Sequence, residues 1–208
     1  MPASAGRCRL SPMGAYKPHR KRVKHFDEVG DCHELTFSCY HRMPLLTNDP
    51  WREMLSRSID AAVERHGYRL VAFVFMPEHV HLLVVPGVTS AKVQCLLSAV
   101  KRPFSFRIKR FLVAARSPLV ERLTVVERPG KMVFRFWQEG PGYDRNLNTI
   151  EAIGASMEYI HLNPLRRGLV REASAWRWSS CRYYLTDGRH HDLALPRVHG
   201  LPGEVWDR

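Results

Sequence analysis

The sequence predicts an α+β sandwich, in which an antiparallel sheet carries two helices on one face. Three observations predict this class. Short apolar runs typical of strands alternate along the chain with longer segments whose apolar residues recur every three or four positions, as in helices. Two of the short runs are separated only by Met76-Pro77-Glu78, which indicates a hairpin and hence antiparallel strands. The segments follow one another as strand, helix, strand, strand, helix, strand.

The first strand and the first helix are predicted from alternation and from end signals. In residues 33–40 apolar side chains alternate with more polar ones, which is the pattern of a strand with one buried face. In the helix that follows, Asp49 is suited to the N-cap and Pro50 to the first turn. Gly67 is suited to end it, because glycine readily adopts the left-handed conformation found after helix C-termini.

The hairpin supplies the second and third strands, in residues 69–75 and 79–86. A second helix is predicted to begin near Ser90 and to be interrupted or kinked by Pro103, since proline cannot donate the helical hydrogen bond. Residues 132–138 are predicted as the fourth strand. The resulting order, β-α-β-β-α-β, is that of a ferredoxin-like sandwich.

An additional C-terminal helix is predicted to cover the second face of the sheet. Residues 82–85 are apolar at every position, so both of their faces need a cover. After a predicted loop at residues 140–145, a helix with an apolar stripe is predicted from about Asn148 to Leu162. It is expected to stop at Asn163-Pro164, since proline disfavours helical geometry in the residue before it.

The length of 208 residues suits one domain with short appended segments. We predict a basic N-terminal arm in residues 1–30, a folded domain in residues 31–184 and a C-terminal tail in residues 185–208. Lysine and arginine total 32 against 20 acidic residues, and this net charge of +12 favours nucleic acid as the partner.

No apolar run approaches the roughly 20 residues needed to cross a bilayer, so no membrane partner is expected. The five cysteines form no C-x-x-C pair, which disfavours a disulfide framework or a zinc knuckle. Together with the lack of an apolar signal segment at the N-terminus, this cysteine usage favours a cytoplasmic protein.

His79 and His81 are the candidate metal ligands. Side chains alternate between the two faces of a strand, so histidines at positions i and i+2 project from the same face. Their imidazoles can then hold one metal ion. The alternative is a pair of histidines satisfied by ordinary hydrogen bonds, and for an isolated His-x-His that interpretation is favoured.

Tyr159 and Asn163 are the candidate partners of the histidines. At about 100° per residue, Tyr159 lies roughly 140° from the middle of the apolar stripe of the additional helix, and Asn163 lies one turn further on. Two imidazoles and a carboxamide oxygen can hold a divalent cation such as Mg²⁺ or Mn²⁺, and a nearby phenol can act as a covalent nucleophile. Taken singly, Tyr159 is better explained as a packing residue and Asn163 as a helix terminator.

The sequence resembles the single-tyrosine HUH transposases, most closely the REP-associated tyrosine transposases. The matching motifs lie in order along residues 33–184 and are Leu35-Thr36-Phe37 through His41-Arg42, Met76-Pro77-Glu78-His79-Val80-His81-Leu82-Leu83, Phe136-Trp137-Gln138 with Gly142-Tyr143-Asp144-Arg145-Asn146, Glu158-Tyr159-Ile160-His161-Leu162-Asn163-Pro164 with Arg166-Arg167-Gly168-Leu169-Val170, and Trp178-Ser179-Ser180. The residues after about Tyr184 match no motif of the family.

The resemblance implies a DNA transposase or nickase, and we expect the protein to be a monomer or homodimer. It implies that His79 and His81 bind the metal, that Asn163 completes its ligand shell and that Tyr159 attacks the DNA. Such enzymes cut single-stranded DNA at hairpin-flanked sites and leave a 5′-phosphotyrosine and a free 3′-hydroxyl. Glu78 stands where many relatives carry Asn, and Pro141 replaces a glycine. We expect neither change to touch the chemistry.

Several assignments around this site remain open in the sequence. Tyr143 is a rival nucleophile, although its Gly-Pro-Gly setting suggests a turn. Five basic residues are predicted to contact DNA phosphates, with solvated surface as the alternative, and these are Lys101, Arg102, Arg145, Arg166 and Arg167. Four aromatic residues are suited either to base stacking or to core packing, with packing favoured for the tryptophans, and these are Trp176, Trp178, Tyr183 and Tyr184.

Two alternative functions also remain open. A ferredoxin-like sheet can serve as a non-catalytic nucleic-acid-binding module, but such a module has no use for the histidine pair. A relative recruited by its host can still cut DNA without mobilising any, and the sequence does not separate that case from an active transposase.

Overall fold

The computed structural model describes residues 31–87, 92–140, 142–189 and 192–200, so the predicted basic arm at residues 1–30 lies outside the described residues. The strands are β1 (Cys32–Ser38), β2 (Tyr68–Phe75), β3 (His79–Pro86), β4 (Thr124–Arg128), β5 (Lys131–Phe134) and β6 (Tyr143–Leu147). The α-helices are α1 (Asp49–Arg65), α2 (Val93–Ala114), α3 (Leu119–Arg122), α4 (Ile150–Arg166) and α5 (Cys181–Leu185). None of these helices is both long enough and apolar enough to cross a membrane.

The main sheet has four antiparallel strands in the order β2-β3-β1-β6. Helices α1 and α2 pack against each other on one face of this sheet, and α4 packs against β2 and β3 on the other. With β6 as the last strand, this is the order of a ferredoxin-like sandwich. The predicted α+β class is therefore confirmed.

The fourth strand of the sheet is not the predicted one. Residues 131–134 form β5, which pairs with β4 in a separate two-stranded sheet. The fourth strand of the main sheet is β6, in a segment that the sequence predicts as a loop. An edge strand needs few apolar residues, and only Leu147 of β6 is buried. Phe136 and Trp137 make the other segment apolar because they pack in the core from an irregular connection.

Both faces of the sheet are covered, as the apolar run in β3 predicts. Leu82 and Val84 pack in a large core beneath α1 and α2. Leu83 and Val85 point the opposite way and pack with α4 in a second, smaller core. Consecutive residues of one strand therefore serve two different cores, since side chains alternate between the faces.

The helix ends follow some of the predicted signals and depart from others. Asn48 caps α1 by accepting a hydrogen bond from the backbone of Trp51, so the predicted cap at Asp49 is one residue too late. Gly67 follows α1 with a φ of 66°, as expected of a helix terminator.

Neither helix-breaking proline stops its helix. Helix α2 continues through Pro103 to Ala114, since buried Val100 and Phe104 anchor it on both sides of the proline. Helix α4 continues through Pro164 to Arg166. Each proline removes one hydrogen-bond donor, and the packing of the helix outweighs that loss.

Residues 192–200, within the predicted tail, lie on the folded domain. Leu195 and Val198 pack against the larger core. The backbone amide of His199 donates to the carbonyl of Leu70 in β2, and Asp192 accepts from Arg177 at 2.8 Å. This segment therefore covers part of the outer edge of β2.

We expect Gly142→Ala to destabilise the protein. Gly142 has a φ of 83°, and a Cβ there would collide with the backbone carbonyl of Thr36 in β1. Strain of this kind costs about 1–3 kcal/mol of unfolding free energy, measurable by urea unfolding. The control is Gly154→Ala, since a Cβ at that position in α4 meets open space and should stabilise the helix by about 0.5–1 kcal/mol. Equal effects of the two substitutions would contradict this account of Gly142.

We expect acid to destabilise the fold in part through His161. Its imidazole contacts the hydroxyl of Ser180 at 2.9 Å, and burial lowers its pKa to about 4 from an ordinary 6.5. Between these two values the unfolded chain binds more protons, so the unfolding free energy falls as the pH falls through this window. In His161→Gln the pH dependence of urea unfolding should be weaker than in the parent, and an unchanged pH dependence would contradict this account.

Candidate functional site

A cleft of about 610 Å³ lies between α4 and the sheet face that α4 covers. Residues from β1, β3 and β6 form its floor and residues from α4 form its wall. The lining residues are Glu34, Thr36, Arg42, His79, His81, Tyr143, Arg145, Ala155, Ser156, Tyr159, Asn163, Arg166 and Arg167. All the predicted catalytic and metal-binding residues are in this set.

The two histidines converge at the floor of the cleft. Both side chains are almost fully buried, with 5% of His79 and 4% of His81 exposed. Their Nε2 atoms lie 3.0 Å apart, with the rings nearly perpendicular. Alternation along β3 places both imidazoles on the face that α4 covers.

The other ring nitrogens face fixed partners. Nδ1 of His81 lies 2.8 Å from the Thr36 hydroxyl, and Thr36 is the residue opposite His81 in the β1–β3 register. Nδ1 of His79 lies 3.2 Å from the carboxylate of Glu78. When Nδ1 carries the proton toward such a partner, the Nε2 lone pair is free to bind a cation. In that state the two Nε2 atoms, 3.0 Å apart, are close enough to bind one cation together.

Burial keeps these imidazoles neutral at neutral pH. Desolvation, with smaller contributions from His79 and Arg42, lowers the pKa of His81 to about 3. Desolvation also lowers the pKa of His79, although the carboxylate of Glu78 opposes that shift. A neutral imidazole is the form that binds metals, so the ring pair is ready for a cation without first losing protons.

Helix α4 brings a tyrosine and an asparagine to the histidines. The Tyr159 ring lies perpendicular to that of His81 with centroids 5.4 Å apart, and 40% of the tyrosine is exposed. The buried Asn163 amide nitrogen lies 3.2 Å from Nε2 of His81. Because α4 continues past Pro164, Asn163 is a helical residue rather than a terminator, and its side chain is held one turn from Tyr159.

This donor set fits a divalent cation. The described parts of the chain contain no cluster of three or more His, Cys, Asp or Glu side chains suited to a metal. A third donor would have to come from the Asn163 amide, because turning its carboxamide over would exchange its nitrogen for its oxygen beside His81. Two imidazole nitrogens and one amide oxygen leave further positions of a cation open to substrate oxygens.

The five predicted DNA-contacting residues lie on two different sides of the sheet. Arg145, Arg166 and Arg167 line the cleft. Lys101 and Arg102 belong to α2, on the opposite face, and do not reach it. The Lys101 ammonium lies 5.1 Å from the Phe37 ring and donates to the Gly140 carbonyl, and burial lowers its pKa to about 8.

Glu78 contacts the site, contrary to the expectation that it stands apart from the chemistry. Its carboxylate lies 3.0 Å from the Arg167 guanidinium and 3.4 Å from that of Arg42, besides its contact with His79. Burial opposes its ionisation, but His79 and Arg167 outweigh this and lower the pKa of Glu78. The buried carboxylate therefore ties the end of α4 to the turn that precedes β3.

Sequence reasoning missed the polar residues of β1 and their partners. Thr36 holds His81, and the buried Glu34 carboxylate accepts a hydrogen bond from Ser156 of α4 at 3.0 Å. Both point to the cleft because they are two residues apart on β1. Polar residues at alternate positions of a largely buried strand were the available signal.

Of the other candidate aromatic residues, one lines the cleft and three are held by the fold. Tyr143, the rival nucleophile, is the first residue of β6 rather than part of a turn, and it lines the same cleft. Trp178 is buried in the larger core and Trp176 packs against both cores, as predicted for the tryptophans. The Tyr184 hydroxyl donates to the Val71 carbonyl at 2.7 Å, so this ring is also held by the fold.

Comparisons with solved structures identify a protein of the same fold. A REP-associated tyrosine transposase bound to a REP hairpin matches with a TM-score of 0.61 and 17% identity, over 86% of this chain and 99% of that one. A candidate transposase of Deinococcus radiodurans R1 matches with a TM-score of 0.42 and 18% identity, over 71% of this chain and 97% of that one. No family model and no curated protein matches the sequence. The chain has the fold of the REP-associated tyrosine transposase.

We expect Thr36→Val to destabilise the protein by about 1–3 kcal/mol, because it leaves the buried Nδ1 of His81 without its partner. Urea unfolding measures the change. Thr47→Val is the matched control, since the Thr47 hydroxyl is exposed and, among the described residues, bonds only to the Pro44 carbonyl. Its unfolding free energy should stay within about 0.5 kcal/mol of the parent. A similar loss in both variants would show that the contact with His81 contributes nothing specific.

Proposed function

We propose that this protein is a metal-dependent transposase or endonuclease that cleaves and rejoins single-stranded DNA through a 5′-phosphotyrosine intermediate. The observation that carries the proposal is the position of an exposed phenol, that of Tyr159, beside two buried imidazoles whose Nε2 atoms converge. The shared fold with a transposase that binds a REP hairpin supports it. A hydrogen bond between the two imidazoles would also give the 3.0 Å separation, so the exposed phenol beside them is what favours a catalytic site over a structural one.

His79, His81 and Asn163 would hold the cation. Mg²⁺ or Mn²⁺ bound there would polarise a DNA phosphate as a Lewis acid. Thr36 and Glu78 contact the Nδ1 atoms of the two imidazoles and would fix the orientation of the rings. Contacts to the second ring nitrogen commonly do this in metal sites. The histidines are buried, so little water would screen the attraction between a cation bound there and a phosphate oxygen of the DNA.

Tyr159 supplies the nucleophile. Its phenolic oxygen would form a bond to phosphorus, and the bond from phosphorus to the 3′-oxygen would break, leaving a 3′-hydroxyl and a 5′-phosphotyrosine. The phenol loses its proton and the departing 3′-oxygen gains one. The new ester retains the energy of the broken bond, so attack by a 3′-hydroxyl reverses the step and rejoins a strand.

Basic side chains position the DNA along the cleft. The Arg166 guanidinium lies 5.5 Å from the Tyr159 ring, close to where a scissile phosphate would meet the phenol. Arg145 is exposed on β6 at the other side of the cleft. These cations would hold the backbone on both sides of Tyr159 and restrict the phosphate to an orientation suited to attack.

The proposal is tested by incubating the protein with a labelled, hairpin-bearing single strand and Mg²⁺ or Mn²⁺. We expect a covalent protein–DNA adduct that disappears in Tyr159→Phe, which lacks the nucleophile. His79→Ala should lower the adduct yield at least about 100-fold, because it removes a ligand of the cation. Denaturing gel electrophoresis measures the adduct.

Tyr143→Phe is the matched control, because Tyr143 lies in the same cleft and is also exposed. It should form the adduct at nearly the parent rate. An adduct that persists in Tyr159→Phe and vanishes in Tyr143→Phe would assign the nucleophile to β6 instead. DNA binding without any adduct, with either metal, would favour the non-catalytic binding module.

A further inference from the structure

The outward face of α2 carries positive charge that the proposed chemistry does not use. The helix has 22 residues, of which five are basic and none is acidic. Arg102, Phe106, Lys109 and Arg110 follow one another at helical spacings and share one side of α2. All four are exposed, whereas the opposite side of the helix is buried in the larger core.

Helix α1 provides an internal comparison, because it lies beside α2 on the same face of the sheet. It has 17 residues, and its charges are mixed: Asp49, Glu53, Asp60 and Glu64 against Arg52, Arg57 and Arg65. The positive charge of this side of the protein is therefore concentrated in α2. Ordinary solubility needs only mixed surface charge, so a helix surface of one sign calls for another explanation.

The cations of this strip are not used within the described parts of the chain. No ion pair to a carboxylate there involves Arg102, Lys109 or Arg110. The Arg110 guanidinium lies 5.9 Å from the ring of Phe106, which is 61% exposed. This contact places the guanidinium beside the exposed ring on the protein surface.

We propose that this face of α2 binds the sugar-phosphate backbone of double-stranded DNA without sequence preference. The strip from Arg102 to Arg110 extends about 12 Å along a convex helix, a shape suited to lie along or within a DNA groove. Single strands are bound instead by several stacked aromatic residues, and this strip offers one such residue, Phe106.

The strip is separate from the cleft, since α2 and α4 lie on opposite faces of the sheet. A duplex bound to α2 would leave the cleft free for an unpaired strand that passes around the β6 edge. Binding by α2 requires no cleavage, so it can be measured in Tyr159→Phe protein and can hold or fail independently of the proposed chemistry.

The test measures the affinity of Tyr159→Phe protein for a short blunt-ended duplex over a series of salt concentrations. Each phosphate contact contributes roughly −0.9 to the slope of log K against log salt. Replacing Arg102, Lys109 and Arg110 together by Gln should therefore make the slope less steep by about 3. Each single replacement should change it by about 1, which keeps the test valid if the triple variant folds poorly.

The control replaces Arg57, Arg65 and Arg69 by Gln, which removes the same charge from exposed positions on α1 and β2. Its slope should equal that of the parent. Equal changes in both triple variants would show attraction by net charge alone and would overturn the proposal. It would also be overturned if the α2 variant lost affinity for single strands or anionic phospholipid vesicles but bound the duplex like the parent.

Discussion

The packing of α4 against the second face of the sheet is the constraint on which the candidate site depends. Ile153 and Ile160 hold the helix against Leu83 and Val85 of β3. Each helical residue is turned about 100° from its neighbour, so this apolar contact also fixes the direction of the polar side. A rotation by one residue would carry Tyr159 away from the histidines. The small core therefore sets the geometry of the cleft as much as the polar residues do.

Local patterns were enough to predict most of the fold and the central residues of the site. The alternation that places His79 and His81 on one face belongs to a single strand, and the turn that separates Tyr159 from Asn163 belongs to a single helix. The edge strand β6 has no such pattern, because only one of its five residues is buried. The apolar segment that contains Phe136 and Trp137 matches the strand pattern better than β6 does, although that segment is an irregular connection.

Contacts between distant segments were beyond the reach of periodicity. Thr36 meets His81 only because β1 and β3 pair in one particular register. The sequence also does not distinguish a basic side chain that faces solvent from one that packs on the fold. The Lys101 ammonium lies over the ring of Phe37, whereas neighbouring Arg102 is exposed. The proline of α4 was misjudged as a helix stop for a related reason, since tertiary packing outweighed a local preference.

The segments that bond to the outer edge of β2 limit association between molecules. Unpaired backbone groups at a sheet edge invite strands from other chains. On β2 these groups are already engaged, since Phe75 donates to the Trp178 carbonyl and the Phe73 carbonyl accepts from the Ser180 amide. Residues 192–200 continue this cover at Leu70. A strand from another molecule therefore cannot pair with the β2 edge of the sheet. The other edge is β6, and its short length and charged side chains disfavour such pairing.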